Sequence, residues 1–235
     1  MDDVYVVEAA ATGDGGCPVD RIAEIAVCRV SGSEFETIYS ETVALDPLDL
    51  GKDPLDRLSS GFGIGVEDLY SGIPADRVVA DVQGILFGRS CTAYDVGNVF
   101  GRYLSFEPWD ATGNVSLLPS ISARLPRELK GRPWEEHIKI AEAYAALCPG
   151  DPAEVGSGRR PIHLVQMASE ILLALRSGGL YRASQIDPQR PCVQQKIRQR
   201  AQVEQGVHDP QRHGQDYREH EHRQAHGRDE DEEPE

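Results

Sequence analysis

Near its N-terminus the chain reads Val4-Tyr5-Val6-Val7-Glu8-Ala9-Ala10-Ala11-Thr12-Gly13, and a second β-rich stretch begins at Arg21-Ile22-Ala23-Glu24-Ile25-Ala26. The first four of these residues are apolar or aromatic, which is typical of a central strand that is buried on both faces. The glycine-rich residues 11–16 predict a turn. The side chains of residues 22–30 are expected to point alternately to the two faces of a second strand. Residues 35–45 are rich in β-formers and predict a third strand. Three strands with short connections predict an antiparallel meander.

Helical patterns and one further strand follow the meander. Residues 46–65 are rich in Asp, Gly, Pro and Ser and predict a loop. Pro74 lies in the first turn of a helix predicted over residues 74–86, whose apolar residues recur at helical spacing. The other predicted elements are a short helix from residue 66, a strand over 91–94, a helix beginning with 99–104, and helices over 133–147 and 162–175.

Composition excludes several classes of protein. The chain has 235 residues, of which 40% are hydrophobic, and a net charge of −15. It contains no apolar run long enough to span a membrane and no basic, apolar leader, so we expect a cytoplasmic protein without a membrane partner. The five cysteines are scattered, which argues against structural zinc or a disulfide framework. The acidic balance repels a phosphate backbone unless a basic patch or a bound metal intervenes.

The composition changes near residue 183. Residues 184–235 are mostly Gln, Arg, His, Asp, Glu and Pro, and they contain too little apolar surface to offset the entropy of folding. We therefore predict one domain over residues 1–182 and a polar, disordered tail over 183–235. The five histidines of the tail are an alternative metal-binding tract, and its composition also suits out-of-frame translation.

Six short motifs occur in order along the predicted domain. After Glu8-Ala9-Ala10-Ala11-Thr12-Gly13 and Ile22-Ala23-Glu24-Ile25-Ala26, the further motifs are Gly61-Phe62-Gly63-Ile64-Gly65-Val66-Glu67-Asp68-Leu69, Tyr94-Asp95-Val96-Gly97-Asn98-Val99-Phe100, Ile140-Ala141-Glu142-Ala143-Tyr144 and Arg159-Arg160-Pro161-Ile162-His163-Leu164-Val165. This series resembles the DEDD superfamily of 3′–5′ exonucleases, in its DEDDh form with a histidine in the last motif. RNase T and the proofreading epsilon subunit of DNA polymerase III belong to that superfamily. The resemblance covers residues 4–176.

The resemblance implies an α/β, RNase H-like fold. Its expected core is a mixed five-stranded sheet that contains the three-stranded antiparallel meander and is flanked by helices. It also implies two-metal phosphodiester hydrolysis, in which two Mg²⁺ or Mn²⁺ ions held by carboxylates activate water and stabilise the leaving oxygen.

The family's catalytic positions are substituted in this chain. Matched residue by residue, the four carboxylates and the histidine correspond to Glu8, Ala10, Val99, Leu164 and Arg159. Of these, only Glu8 retains an oxygen ligand, and one carboxylate cannot replace the water shells of two ions. Burying aliphatic side chains instead adds about 1–3 kcal/mol for each one. We therefore expect no bound metal and no metal-dependent catalysis.

Other acidic residues leave an alternative open. A shifted register would pair Glu8 with Asp95 as metal ligands, and Asp14, Asp20 and Glu24 also lie near the first motif. In the competing interpretation, Asp95 caps or ends a strand and Glu24 lies on an exposed or edge face. Thr12, Arg159 and Arg160 are the candidate nucleic-acid contacts, because the two arginines are suited to holding a phosphate.

Two hypotheses about function follow. The first is a non-catalytic, exonuclease-like module that binds a nucleic-acid 3′ end or a replication or repair protein. The second is an active 3′–5′ exonuclease with a noncanonical ligand set, which would need Mg²⁺ or Mn²⁺ bound by Glu8 and Asp95. A gene product with no selected role is a third interpretation.

Overall fold

A five-stranded mixed sheet forms the centre of the protein. A computed structural model describes residues 3–130, 138–148 and 159–182. The strands are β1 Val4–Ala11, β2 Ile22–Ser31, β3 Glu34–Thr42, β4 Ser90–Thr92 and β5 Ser116–Leu117. Their order across the sheet is β3-β2-β1-β4-β5. β1, β2 and β3 pair antiparallel, whereas β4 pairs parallel with β1 and β5 parallel with β4. The predicted meander and five-stranded mixed sheet are confirmed.

The central strand β1 is buried on both faces, as its composition predicts. Val4 and Val6 pack on one side with the core below the C-terminal helices, while Tyr5 and Val7 pack into the core on the other side. β1 extends further than its apolar start, to Ala11, because it continues to pair with β2 as far as Ile22.

Helices cover both faces of the sheet. They are α1 Lys52–Arg57, α2 Val66–Ser71, α3 Ala75–Leu86, α4 Val96–Asn98, α5 Ile140–Leu147 and α6 Pro161–Ser177. α1 continues into a π-helical turn at Leu58–Phe62, and α4 continues into a π-helix at Val99–Leu104. α6 packs across β1, β2 and β3 on one face, beside α5. None of the described helices is long and apolar enough to cross a membrane.

Two sequence predictions about these helices need correction or limits. The loop predicted over residues 46–65 is wrong, because α1 and its π-helical turn lie there. Leu58 is fully buried in the core and anchors this turn, although its neighbours are mostly polar. The helix predicted over 133–147 begins at Ile140, because residues 138 and 139 are not helical and Lys139 is extended. Residues 133–137 of that prediction lie outside the described residues. The predicted tail, 183–235, also lies outside the described residues.

Candidate functional site

The carboxyl end of β1 places Glu8 close to the end of β4. Glu8 is buried, and its register partner Ala26 packs in the core below α6. The backbone N–H of Tyr94, just after β4, donates a 2.6 Å hydrogen bond to Oε1 of Glu8. Burial raises the pKa of Glu8 to about 8, the Tyr94 hydrogen bond lowers it, and the charge of Asp95 raises it. The Glu8 carboxyl is therefore mostly protonated at neutral pH.

The other positions that the resemblance assigns to carboxylates contain aliphatic side chains in or against the core. Ala10 is fully buried, and Val99 is buried at the start of the π-helix. Leu164 of α6 is partly buried and packs against the core that the sheet forms with α5 and α6. Within the described ranges, no group of three or more His, Cys, Asp or Glu side chains is arranged to hold a metal ion. These residues do not fit a pair of Mg²⁺ or Mn²⁺ ions, which need several oxygen ligands.

Asp95 lies close to Glu8 but also has a structural role. Its Oδ1 accepts a 3.2 Å hydrogen bond from the N–H of Asn98 and caps α4. Its charge acts on Glu8, so the structure brings together the two carboxyl groups that the shifted-register hypothesis pairs.

A buried ion pair joins the first turn of α6 to the sheet. The Arg160 guanidinium donates to Oε2 of Glu24 from Nε at 2.8 Å and from Nη2 at 2.5 Å. It also donates to Oδ1 of Asp68 and to Oγ1 of Thr42, each at 3.2 Å. The Glu24 side chain is only 3% exposed, so the expectation of an exposed or edge position for Glu24 is wrong. Glu24 lies directly opposite Ala10 in the pairing of β1 with β2.

Arg160 and Asp68 stabilise each other's charged forms. The pKa of Asp68 is lowered, first by the N–H of Gly65 at the start of α2 and then by Arg160. The pKa of Arg160 is raised, chiefly by its hydrogen bonds to Glu24. The guanidinium of Arg160 is therefore committed to internal acidic partners.

Solved structures with a similar fold include nucleases. A 3′-exonuclease, in a structure of its 3′-end-specific recognition of a histone mRNA stem-loop, matches with a TM-score of 0.57 and 15% identity over 81% of this chain and 72% of that one. E. coli exonuclease I with a dA16 oligonucleotide matches with a TM-score of 0.56 and 11% identity over 77% and 42%. Exonuclease X with 5′-overhanging duplex DNA matches with a TM-score of 0.51 and 13% identity over 77% and 96%. The fold is that of the RNase H-like exonucleases. At the level of sequence, no family model and no curated protein matches the chain.

Within this exonuclease fold, the two neighbouring arginines of the last motif differ in their surroundings. Arg160 is engaged with Glu24 and Asp68, as described above. Arg159 is exposed, and it has no hydrogen-bond or ion-pair partner among the residues that the structure describes. From the sequence alone, Arg159 and Arg160 are two equivalent basic residues. The structure distinguishes them, because only Arg160 contacts Glu24.

Thr12 belongs to the loop that follows β1 in the exonuclease fold, and its hydroxyl group is used within that loop. Its Oγ1 accepts from the N–H of Arg21 at 2.9 Å and donates to Oδ1 of Asp20 at 3.3 Å. The Asp20 carboxylate also accepts from the N–H of Gly15 at 2.6 Å. Thr12 is buried, and its hydrogen bonds to Arg21 and Asp20 hold the two ends of this loop together.

Side chains from two other elements hold the same loop. Arg57 at the end of α1 donates to both carboxylate oxygens of Asp14, at 2.6 and 2.8 Å. Arg102 donates to the Asp14 carbonyl oxygen at 3.0 Å, and the Tyr103 hydroxyl donates to the Gly13 carbonyl oxygen. Sequence reasoning missed Arg57, Arg102 and Tyr103, because no local motif links them to a loop more than forty residues earlier in the chain.

Proposed function

We propose that this protein is a non-catalytic module with an exonuclease fold, which binds a nucleic-acid 3′ end or a replication or repair protein without metal-dependent hydrolysis. One observation carries the proposal. Glu8, the remaining carboxylate at the positions matched to the family, is buried against the Tyr94 amide, and Ala10, Val99 and Leu164 pack against the core.

Electrostatics favour this proposal over a working two-metal centre. Two hard cations need several charged oxygen ligands, and Glu8 is the one matched position that could supply one. Burial raises the pKa of Glu8, so a cation would also have to displace its proton. One of its oxygens already accepts the short Tyr94 hydrogen bond. Aliphatic side chains at the other positions gain free energy from burial, whereas a cluster of carboxylates without metal would be self-repelling.

Arg159 is the residue that we assign to phosphate contact. It is exposed just before α6, and it has no internal partner in the described part of the chain. With a net charge of −15, the protein as a whole repels nucleic acid, so binding by a few contacts will be weak and sensitive to salt.

A metal titration combined with a trimming assay tests the proposal. We would titrate Mn²⁺ into the full chain by calorimetry and measure degradation and binding of 3′-labelled single-stranded DNA and RNA. The expected result is no heat of specific Mn²⁺ binding, no trimming, and salt-sensitive binding of the oligonucleotide. Glu8→Gln should behave like wild type in all three measurements, as should Glu34→Gln, a control at an exposed carboxylate.

The alternative is an active exonuclease that uses Glu8 and Asp95 as metal ligands. The electrostatic contact between these two groups favours it. Mn²⁺-dependent trimming that is lost in Glu8→Gln and retained in Glu34→Gln would establish the enzyme and overturn the module. If the wild-type protein neither trims nor binds oligonucleotides, the nucleic-acid part of the proposal fails.

A further inference from the structure

The two arginines of the last motif lie next to each other but have opposite environments. Arg160 is the residue that caps the N-terminus of α6, and its guanidinium reaches β2, β3 and α2 at once through Glu24, Thr42 and Asp68. Arg159 precedes it directly and is exposed.

We infer that Arg160 is a positioning residue, which fixes the first turn of α6 so that Arg159, and not Arg160 itself, is presented to a nucleic-acid phosphate. The inference rests on the proposed function. In this inference Arg160 does not contact nucleic acid, and it acts by orienting Arg159.

The geometry of the clamp supports this assignment. A planar guanidinium holds its donors in a fixed fork, so several simultaneous hydrogen bonds define its orientation. Arg160 uses Nε, Nη1 and Nη2 on three different acceptor residues. Its backbone carbonyl in turn accepts from the N–H groups of His163 and Leu164, at 3.0 and 3.1 Å. Fixing the Arg160 side chain therefore fixes the first turn of α6 and the residue before it.

Energetics oppose a direct phosphate contact by Arg160. To reach a phosphate, its guanidinium would have to leave the Glu24 carboxylate, which is almost fully buried and would then be an unpaired charge. Arg159 incurs no such cost, because it is solvent-exposed and has no internal partner among the described residues.

Salt-dependent binding of a short, fluorescein-labelled single-stranded oligonucleotide to the full chain distinguishes the two roles. Each phosphate contact adds about 0.7 to the slope of log K against log salt. Arg159→Gln should lower the slope by about 0.7, Arg160→Gln should lower it by the same amount, and the double variant should show no further loss. A loss of about 1.4 in the double variant would mean two independent contacts and would overturn the inference.

Asp68→Asn provides a milder variant in case Arg160→Gln does not fold. It weakens one arm of Arg160 while Glu24 keeps the other, and it removes one negative charge, as does Glu67→Gln at the exposed neighbouring residue. If Arg160 is a positioning residue, Asp68→Asn should not exceed Glu67→Gln in affinity or in salt slope. A higher affinity with a steeper slope in Asp68→Asn than in Glu67→Gln would mean that a released Arg160 contacts phosphate, contrary to the inference.

Hydrogen exchange separates this inference from the proposed function. In Arg160→Gln, the amides of His163 and Leu164 should lose at least tenfold more protection than the amides of α3, whose loss reports the fall in global stability. An equal loss of protection at His163, Leu164 and α3 would overturn the positioning role. If wild-type protein binds no oligonucleotide, the proposed function and the presentation of Arg159 both fail, and exchange still decides whether Arg160 orders the turn.

Discussion

Glu8 on β1 and Tyr94 after β4 are joined by a 2.6 Å hydrogen bond from the Tyr94 backbone N–H to the Glu8 carboxyl group. This bond connects β1 to the residues after β4, near the carboxyl ends of these two parallel strands. The same carboxyl group is buried and lies near Asp95, and both effects raise its pKa. It therefore keeps its proton at pH values well above 4.5, its ordinary pKa. A residue that the resemblance assigns to metal binding thus contributes a neutral hydrogen-bond acceptor to the core.

The raised pKa of Glu8 predicts that the protein loses stability as pH rises. In the unfolded chain Glu8 ionises near pH 4.5, whereas in the folded protein it does so at about 8. Between these values the folded state binds more protons, so the free energy of unfolding falls with pH by about 1 kcal/mol per unit. Glu8→Gln keeps an acceptor for the Tyr94 amide but cannot ionise.

Thermal unfolding of wild type and Glu8→Gln between pH 5 and 8 measures this effect. The variant should be the more stable protein at pH 8, and its advantage should shrink towards pH 5. A difference that does not change with pH would show that Glu8 ionises normally in the folded state.

Removing Arg160 should destabilise the fold strongly. Arg160→Met leaves the Glu24 carboxylate buried and unpaired, which costs about 3 kcal/mol for a pair of this burial. Arg160→Lys keeps the charge but loses the fork, so its loss should be smaller. Urea unfolding at neutral pH measures both. Adding Glu24→Gln to Arg160→Met should recover part of the loss, because the uncompensated charge is removed; no recovery would mean that the ion pair is not the cause.

Local patterns in the sequence predict much of the fold but only part of the candidate site. The strands β1 and β2 follow from their apolar and small residues, which are buried on both faces of the sheet, and α6 follows from apolar residues at helical spacing. The Gly, Pro and Asp residues around α1 predict a loop, and the single buried residue Leu58 at its end is too little apolar pattern to indicate a helix. The bond from Arg160 to Glu24 spans 136 residues of sequence, so no local pattern encodes it.

Two glycines predict opposite effects of the same substitution. A Cβ on Gly72 would lie 2.6 Å from the Ala44 backbone nitrogen and 2.7 Å from the Val43 carbonyl carbon, where the chain after α2 crosses the end of β3. Gly84 lies inside α3, and a Cβ there would meet nothing within 4 Å. Gly72→Ala should destabilise by about 2 kcal/mol or more through backbone displacement. Gly84→Ala should stabilise by about 0.5–1 kcal/mol. Urea midpoints that move in the same direction would contradict this contrast.

Placing a carboxylate at Val99, where the resemblance expects one, should harm the protein without creating a metal site. Val99 is 2% exposed in the core, so Val99→Asp buries an unpaired carboxyl group and should cost about 3 kcal/mol or more. Val99→Ala controls for the lost aliphatic contacts, and the difference between the two variants isolates the carboxyl group. Because Ala10 and Leu164 supply no ligand atoms, added Mn²⁺ should leave the unfolding temperature of Val99→Asp unchanged. If Mn²⁺ instead raises that temperature by several degrees in Val99→Asp and not in Val99→Asn, a carboxylate at this position completes a cation site with Glu8. That result would contradict the proposal that this end of the sheet does not bind metal.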